Sequence, residues 1–323
     1  MRVLIVKLSS LGDVVHAMPV VSDIQSVYSN AHIDWVVEPA FAPLVRRVQG
    51  VDEVIECAQR RWRKAWWTST VRAEWRAFRS RLKAHRYDAV LDLQGLTKSA
   101  LVARMANGPS FGLANRTEGS AYERPVRWLL DQTIQIEPHI HALDRSRELA
   151  ARALNYRVGG SPHFGLQAHG PRTAQRTVVF VHGSSRADKL WPEESWVDLG
   201  LRMISSGYHV ALPHAGAEEL ARVQRLAQAL GPRAVVWPEM SLDALVDHLG
   251  ATQGVIGVDS GLSHIAVALN LPHVQLYNFP TAWRTGPQLA HGHRHQVAVE
   301  RNPTPEVDLV WATWQVVRRA GHA

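Results

Sequence analysis

The chain has 323 residues and carries 36 Lys and Arg against 29 Asp and Glu, a formal net charge of +7 that points to an anionic partner: nucleic acid, a membrane surface or a phosphorylated substrate. That length exceeds the size at which one hydrophobic core usually stops growing, about 250–300 residues, so two domains are expected. A single cysteine, Cys57, excludes an internal disulfide framework and fits a reducing compartment; no apolar run reaches the roughly 20 residues that span a bilayer, and the short run Val3–Val6 does not resemble a signal peptide, so a cytoplasmic location is expected.

In chain order, apolar runs predict strands at Val3–Val6, Ile33–Val37, Val54–Glu56 and Tyr87–Leu93. Helical spacing predicts helices at Val14–Tyr28, Val71–Ala84, Thr97–Ala106 and Ala142–Leu154. Pro19 is expected to kink the first of them. From Arg157 to Arg176 the chain turns rich in Gly, Pro, Ser and His and loses its periodicity. A linker over 161–176 is therefore expected, between a first domain over 1–160 and a second over 177–305. The second half predicts strands at Thr177–Val181, His209–Leu212, Ala234–Trp237, Gly254–Val258 and His273–Tyr277. Helices are expected between them at Glu193–Ile204, Glu218–Leu230, Leu242–Leu249 and Leu262–Leu269. Within the last segment, 306–323, Val307–Arg318 has Val310, Trp314 and Val317 on one side, and this helix is expected to pack back on the first domain. The alternation argues for parallel βαβ units, hence an α/β protein of two similar halves with a cleft between them.

Four segments carry candidate chemistry. Lys7-Leu8-Ser9-Ser10-Leu11-Gly12-Asp13 closes an apolar strand and sets one carboxylate where a helix begins. Ligands of open α/β sheets bind beyond the carboxyl ends of strands, although on position alone a helix-capping role for Asp13 is favoured, and it is the repeat of the strand-turn-helix plan in the second half that tips the balance. His182-Gly183-Ser184-Ser185-Arg186-Ala187-Asp188-Lys189 follows the first strand of the second half and offers hydroxyls and an ammonium that suit a diphosphate; a solvated basic loop is the competing reading. Asp259-Ser260-Gly261-Leu262-Ser263-His264 opens a helix, where a glycine admits a close ligand and free amides attract phosphate.

The fourth segment runs from Arg60 to Arg86 and holds ten basic residues against one acid, Glu74. It begins with Arg60-Arg61-Trp62-Arg63-Lys64-Ala65-Trp66-Trp67 and continues as a helix with Arg72, Arg76, Arg79, Lys83 and Arg86 on one face. Val71, Trp75, Phe78 and Leu82 form the adjacent apolar stripe. The excess of charge and tryptophan goes beyond a solvated helix face and reads as a docking surface for phosphates or an anionic amphiphile. The sequence has no G-x-G-x-x-G, P-loop or G-x-S-x-G motif. It also lacks a D-x-D clamp and zinc-ligand spacing, so neither a metal nor a cofactor is expected; His291-Gly292-His293-Arg294-His295 reads as a surface loop.

These motifs, with Tyr87-Asp88-Ala89-Val90-Leu91-Asp92-Leu93-Gln94-Gly95-Leu96, Asp188-Lys189-Leu190-Trp191-Pro192-Glu193-Glu194 and Met240-Ser241-Leu242, resemble glycosyltransferase family 9, the lipopolysaccharide heptosyltransferases. The similarity runs from Met1 to about Pro280, and the Arg60–Trp66 block resembles that of the first enzyme of the pathway. The resemblance implies a GT-B fold, two Rossmann-like domains with parallel sheets facing across a cleft, and inverting transfer. It implies ADP-L-glycero-β-D-manno-heptose as donor, Kdo2-lipid A as acceptor, and peripheral attachment to the cytoplasmic face of the inner membrane.

Carried onto this chain, the resemblance makes Asp13 the base and Lys189 the cation at the leaving group. It sets Ser184, Ser185, Glu219, Met240, Asp259, Ser260, Gly261, Leu262 and His264 around the donor, and Ser10, Gly12, Arg60, Arg61, Arg63 and Lys64 around the acceptor. Ser260 stands where Thr is common, and Asn278-Phe279-Pro280-Thr281 replaces a Gly-Pro-Thr turn, so that loop is left outside the site. The rival readings are a later heptosyltransferase and a non-enzymatic nucleic-acid-binding protein; the latter leaves the phosphate-type turns of the second half unexplained.

Overall fold

The computed structural model describes residues 1–171, 173 and 175–321; Arg172, Ala174, His322 and Ala323, with what the sequence suggests there for the linker and the last segment, lie outside the described residues. Two compact units divide the chain, Met1–Gln167 and Ala168–Ala323. The division falls inside the expected 161–176 segment, several of whose described residues are tied to one unit or the other. Gln49 N donates to Gly165 O at 2.8 Å, Phe164 and Leu166 are buried, and His169 N donates to the Asp247 carboxylate at 2.7 Å. Periodicity is lost there because the segment docks through single residues, not through a regular element.

The first unit holds six parallel strands, β1 (Arg2–Val6), β2 (His32–Val37), β3 (Glu53–Glu56), β4 (Ala89–Asp92), β5 (Ser110–Leu113) and β6 (Gln132–Ile134), in the order β3-β2-β1-β4-β5-β6. The second unit holds β7 (Thr177–Val181), β8 (His209–Leu212), β9 (Ala234–Val236), β10 (Gly254–Val258), β11 (His273–Tyr277) and β12 (Gln296–Glu300), in the order β9-β8-β7-β10-β11-β12. Both units thus repeat one order, in which the first and fourth strands are neighbours and the chain leaves them in opposite directions. Ligand crevices form outside the carboxyl ends of strands at such a switch point. The expected α/β architecture is what the structure has.

Central strands are covered on both faces, which is why they read as unbroken apolar runs; Val3, Leu4, Ile5 and Val6 are fully buried. β5, β6 and β12 escape the sequence reading. β5 and β6 are short, the three carry Ser110, Gln132 and Gln296, and they lie at or next to a sheet edge, where polar residues break the apolar run. The helix Gln59–Ala65 is also missed, because it buries Trp62 alone and has no apolar period to read. Pro19 does more than kink the first helix. Helices Leu11–Ala17 and Pro19–Val27 are separate, with Pro19 at the first helical position of the second, where its missing N–H costs nothing.

The final helix, Val307–Ala320, is built into the second unit. Val310, Trp314 and Val317 belong to the core of the second unit with Val274, Leu276 and Val299, and the helix packs on β11, β12 and the helix Glu193–Ser205. Truncating a buried aromatic of this kind costs about 3–5 kcal/mol, so Trp314 ties the helix firmly to that core.

Asp92 ends β4 fully buried, accepting hydrogen bonds from Gln94 N at 3.0 Å, Gly95 N at 3.3 Å and Ser99 Oγ at 3.1 Å. Burial outweighs these bonds and pushes its pKa up to about 6. The folded chain therefore binds this proton more tightly than the unfolded chain, and stability is lost as pH rises from about 4 through about 6. Asp92→Asn has no such loss. Its melting temperature relative to the parent chain should be more favourable at pH 7.5 than at pH 5, read by thermal scans at both; a pH-independent difference would show that Asp92 is ionised throughout.

Candidate active site

Asp13 lies in the first turn of the helix Leu11–Ala17, immediately after β1, at the switch point of the first unit. One oxygen accepts from Ser10 N at 3.2 Å and Ser10 Oγ at 2.8 Å. The other faces two cations, Lys7 Nζ at 3.7 Å and Arg145 Nη2 at 3.8 Å. One oxygen thus serves the start of the helix, and the other faces the cations. What its partial burial does to raise the pKa is outweighed by Lys7, the Ser10 hydrogen bond and Arg145, which hold the carboxyl well below the usual carboxylate range. Its side chain remains 40% exposed, accessible to a ligand.

Lys7, Arg145 and Gln94 surround Asp13 and its turn, and the sequence reading gave them no role. Lys7 is buried, donates to Leu93 O at 3.0 Å, and has its pKa lowered by that burial against the pull of Asp13. Gln94 Oε1 accepts from Leu8 N at 2.8 Å and Ser9 N at 3.4 Å, tying the turn after β1 to the turn after β4. Arg145 donates to the buried Thr117 hydroxyl at 3.1 Å. The available signal was a charge in a buried place: a lysine closing an apolar strand, and an arginine on the inward face of the helix Ala142–Leu154.

In the second unit the other switch point gathers the segments after β7 and β10. Lys189 Nζ lies 2.5 Å from Asp259 Oδ2, and His264 Nε2 lies 3.3 Å from Asp259 Oδ1. Thr285 Oγ1 donates to Asp259 Oδ1 at 3.4 Å, and Ser184 Oγ donates to Asp259 O at 3.5 Å. Burial opposes ionisation of Asp259, yet His264 and Lys189 hold its pKa well below the usual range. The hydroxyl of Ser260 is buried without a hydrogen-bond partner, at the start of the helix Gly261–Ala268 that Leu262 and His264 share.

Glu219 reaches Gly183 so closely that a Cβ there would stand 2.2 Å from its carboxylate, so a side chain at 183 would displace Glu219. Met240 is half-buried in the segment after β9, and Ser185 is exposed beside Ser184. All the donor residues expected from the sequence thus follow the carboxyl ends of β7, β8, β9 or β10. The Asn278 loop, left outside the site, braces it: Asn278 Nδ2 donates to Asp188 O and Leu190 O, both at 2.9 Å, and fixes the turn that carries Lys189.

The basic block follows the outer strand β3, at the same carboxyl end of the first sheet as Asp13 after the central strand β1. Arg60 Nε lies 3.1 Å from Glu38 Oε1, which Lys98 approaches at 3.9 Å. Arg61 pairs with Glu74 at 2.6 Å, whereas Arg63 and Lys64 are exposed. Within the first unit, Asp34, Glu53 and His85 stand close enough to share a cation. Their charges are already matched, because Arg2 Nε lies 3.1 Å from Asp34 and Arg81 Nη2 lies 2.7 Å from Glu53.

A profile of glycosyltransferase family 9 (heptosyltransferase) matches residues 75–310. Lipopolysaccharide heptosyltransferase 1 of Escherichia coli (strain K12) is 38% identical over 309 residues, 94% of this chain and 94% of that protein. Its namesake from Pseudomonas aeruginosa is 38% identical over 291 residues, covering 86% and 78%. Among solved structures, E. coli heptosyltransferase WaaC with ADP superposes with a TM-score of 0.83 at 35% identity, covering 99% of this chain and 98% of that one. The same enzyme with ADP-2-deoxy-2-fluoro heptose gives 0.81 at 35% identity, with the same coverage. With a profile over most of its length and relatives at this identity along almost all of it, the chain belongs to glycosyltransferase family 9, the heptosyltransferases.

Proposed function

We propose that this chain transfers L-glycero-D-manno-heptose from ADP-L-glycero-β-D-manno-heptose to a Kdo hydroxyl of Kdo2-lipid A, in lipopolysaccharide inner-core synthesis at the cytoplasmic face of the inner membrane. The observation that carries the reading is the ionised, accessible Asp13 at one switch point together with the Lys189–Asp259–His264 group at the other. Similarity to a heptosyltransferase solved with ADP and with an ADP-heptose analogue supports the donor.

The reaction is a single displacement with inversion. The acceptor oxygen bonds to the anomeric carbon as the bond from that carbon to the diphosphate breaks. Asp13 takes the acceptor proton, and ADP departs with the electron pair. Lys189 and the Ser184 and Ser185 hydroxyls, with the amides at Gly261, meet the charge that grows on the diphosphate. Lys7 and Arg145 make Asp13 a weak base, so the proton moves late, when bond formation has made the acceptor hydroxyl acidic. Arg60, Arg61, Arg63 and Lys64 take the acceptor's phosphates and carboxylates, with Glu38 orienting Arg60.

Asp13→Asn keeps the shape and loses the base. Transfer should fall roughly 10²–10⁴-fold with the melting temperature and ADP affinity close to the parent's; near-normal turnover would leave Asp13 as a cap alone. Lys189→Ala should weaken donor binding and lower kcat by roughly 10²–10³. EDTA should leave the parent enzyme's rate unchanged, and rescue by Mg²⁺ after EDTA inactivation would show a metal at the leaving group instead. Neutralising Arg60, Arg61, Arg63 and Lys64 together should raise the acceptor KM with little effect on the donor KM. Exposed charges act through salt-screened attraction, with a reach of about 8 Å at physiological ionic strength. The acceptor KM should therefore rise with salt in the parent and hardly at all in the quadruple variant; equal slopes would place the acceptor elsewhere.

A further inference from the structure

The segment that follows β11 supplies side chains to both partners of the Lys189–Asp259 pair. At its start, Asn278 donates to the carbonyls on either side of Lys189 and accepts from Thr304 Oγ1 at 2.9 Å. At its end, Thr285 Oγ1 lies 3.4 Å from Asp259 Oδ1 and 3.0 Å from the hydroxyl of Tyr277, the last residue of β11. Ala282 N donates to the Glu300 carboxylate at 3.0 Å, which holds the short helix Ala282–Thr285 against β12. The direction of the two hydroxyl bonds follows from charge. Asp259 is ionised and can only accept, so the single Thr285 proton points to it, and the Thr285 oxygen accepts from the Tyr277 hydroxyl. Tyr277 is buried, and burial together with the Asp259 charge keeps its phenol protonated, with a pKa well above the ordinary tyrosine value. The hydroxyls thus form a one-way relay from Tyr277 through Thr285 to Asp259.

The relay meets a need that the ion pair creates. Asp259 is only 5% exposed, and Lys189 and His264 stand against its two oxygens. A departing diphosphate draws the Lys189 ammonium towards itself, and a buried carboxylate about to lose its partner pulls that ammonium back. A hydroxyl aimed at Asp259 stays behind when the ammonium turns away. Polarised by the phenol behind it, the Thr285 hydroxyl takes up part of the carboxylate's charge, so that less is lost when Lys189 goes over to the diphosphate. We propose that Thr285, backed by Tyr277, is a positioning residue that keeps Asp259 placed and hydrogen-bonded while Lys189 serves the leaving group. This role rests on the reading that Lys189 meets the departing diphosphate, and it names what releases that lysine. Thr285 acts through Asp259, as Asn278 acts through the backbone around Lys189. One segment therefore governs both members of the pair from opposite ends.

The test compares Thr285→Val, Thr285→Ser and Tyr277→Phe in the full chain, by ADP calorimetry and by single-turnover transfer at saturating donor. ADP carries the charge of the leaving group in full, so its affinity reports the competition for Lys189 without any acceptor. Thr285→Val keeps the shape and loses the hydroxyl. It should lower ADP affinity and the single-turnover rate together, each about three- to tenfold, while the donor KM changes less. Thr285→Ser should restore both. Tyr277→Phe should move both in the same direction by a smaller factor. The double variant Tyr277→Phe/Thr285→Val should be no worse than Thr285→Val alone, because Tyr277 acts only through Thr285. Parent values in Thr285→Val, equal losses in Thr285→Val and Thr285→Ser, or a raised donor KM at an unchanged single-turnover rate would overturn the proposal. Additive losses in the double variant would overturn the part given to Tyr277. The two readings fail separately. ADP affinities in the expected order with no transfer by the parent remove the proposed function and leave this role, whereas normal transfer with ADP affinity unchanged by Thr285→Val removes this role.

Discussion

Lys189 stands 2.5 Å from Asp259 with 16% of its side chain exposed, so neither charge can be lost without stranding the other where water reaches poorly. The pair fixes much else around it. His264 and Thr285 address the second Asp259 oxygen, and Asn278 holds the turn from which Lys189 extends. A leaving diphosphate at this place would meet a cation already positioned and partly desolvated. It would compete with Asp259 for that ammonium, and the competition grows more favourable as charge accumulates in the transition state.

The first unit answers with the same kind of pairing in a different geometry. Lys7 and Arg145 approach Asp13 at 3.7 and 3.8 Å, longer than hydrogen bonds, and leave the carboxylate partly open to solvent. Charge without close contact holds Asp13 ionised and still able to accept a proton. That both pairs occur at a switch point follows from topology: two sheets with one strand order each splay their chains at one place, and polar side chains placed there escape burial in the sheet.

The order of legibility in the sequence follows the same physics. β1, β7 and β10 stand in the middle of their sheets, need apolar residues on both faces, and read plainly. β6 and β12 close their sheets at one edge, and their glutamines and threonine blur the pattern. Asp13, Lys189, Asp259 and His264 drew notice in the sequence because they lie in the polar turns and helix starts that follow the apolar strands β1, β7 and β10. Arg145 and Asn278 were not, since each acts through contacts between segments more than 80 residues apart in sequence. The Val307–Ala320 helix shows a further limit: an apolar stripe states that a face must be covered and does not say by which domain.

Asp13 accepts from Ser10 with one oxygen and faces its cations with the other, so one residue both helps to start a helix and, on the proposed mechanism, serves as the base. Two separate physical demands would then fall on a single side chain. A glutamate would keep the charge but carry it one carbon farther, past the backbone amide it must reach, while serine or asparagine would cap the helix and leave no base. Drift at this position is confined from both sides. An alanine scan would report folding and chemistry in one number, and only the isosteric amide pulls them apart.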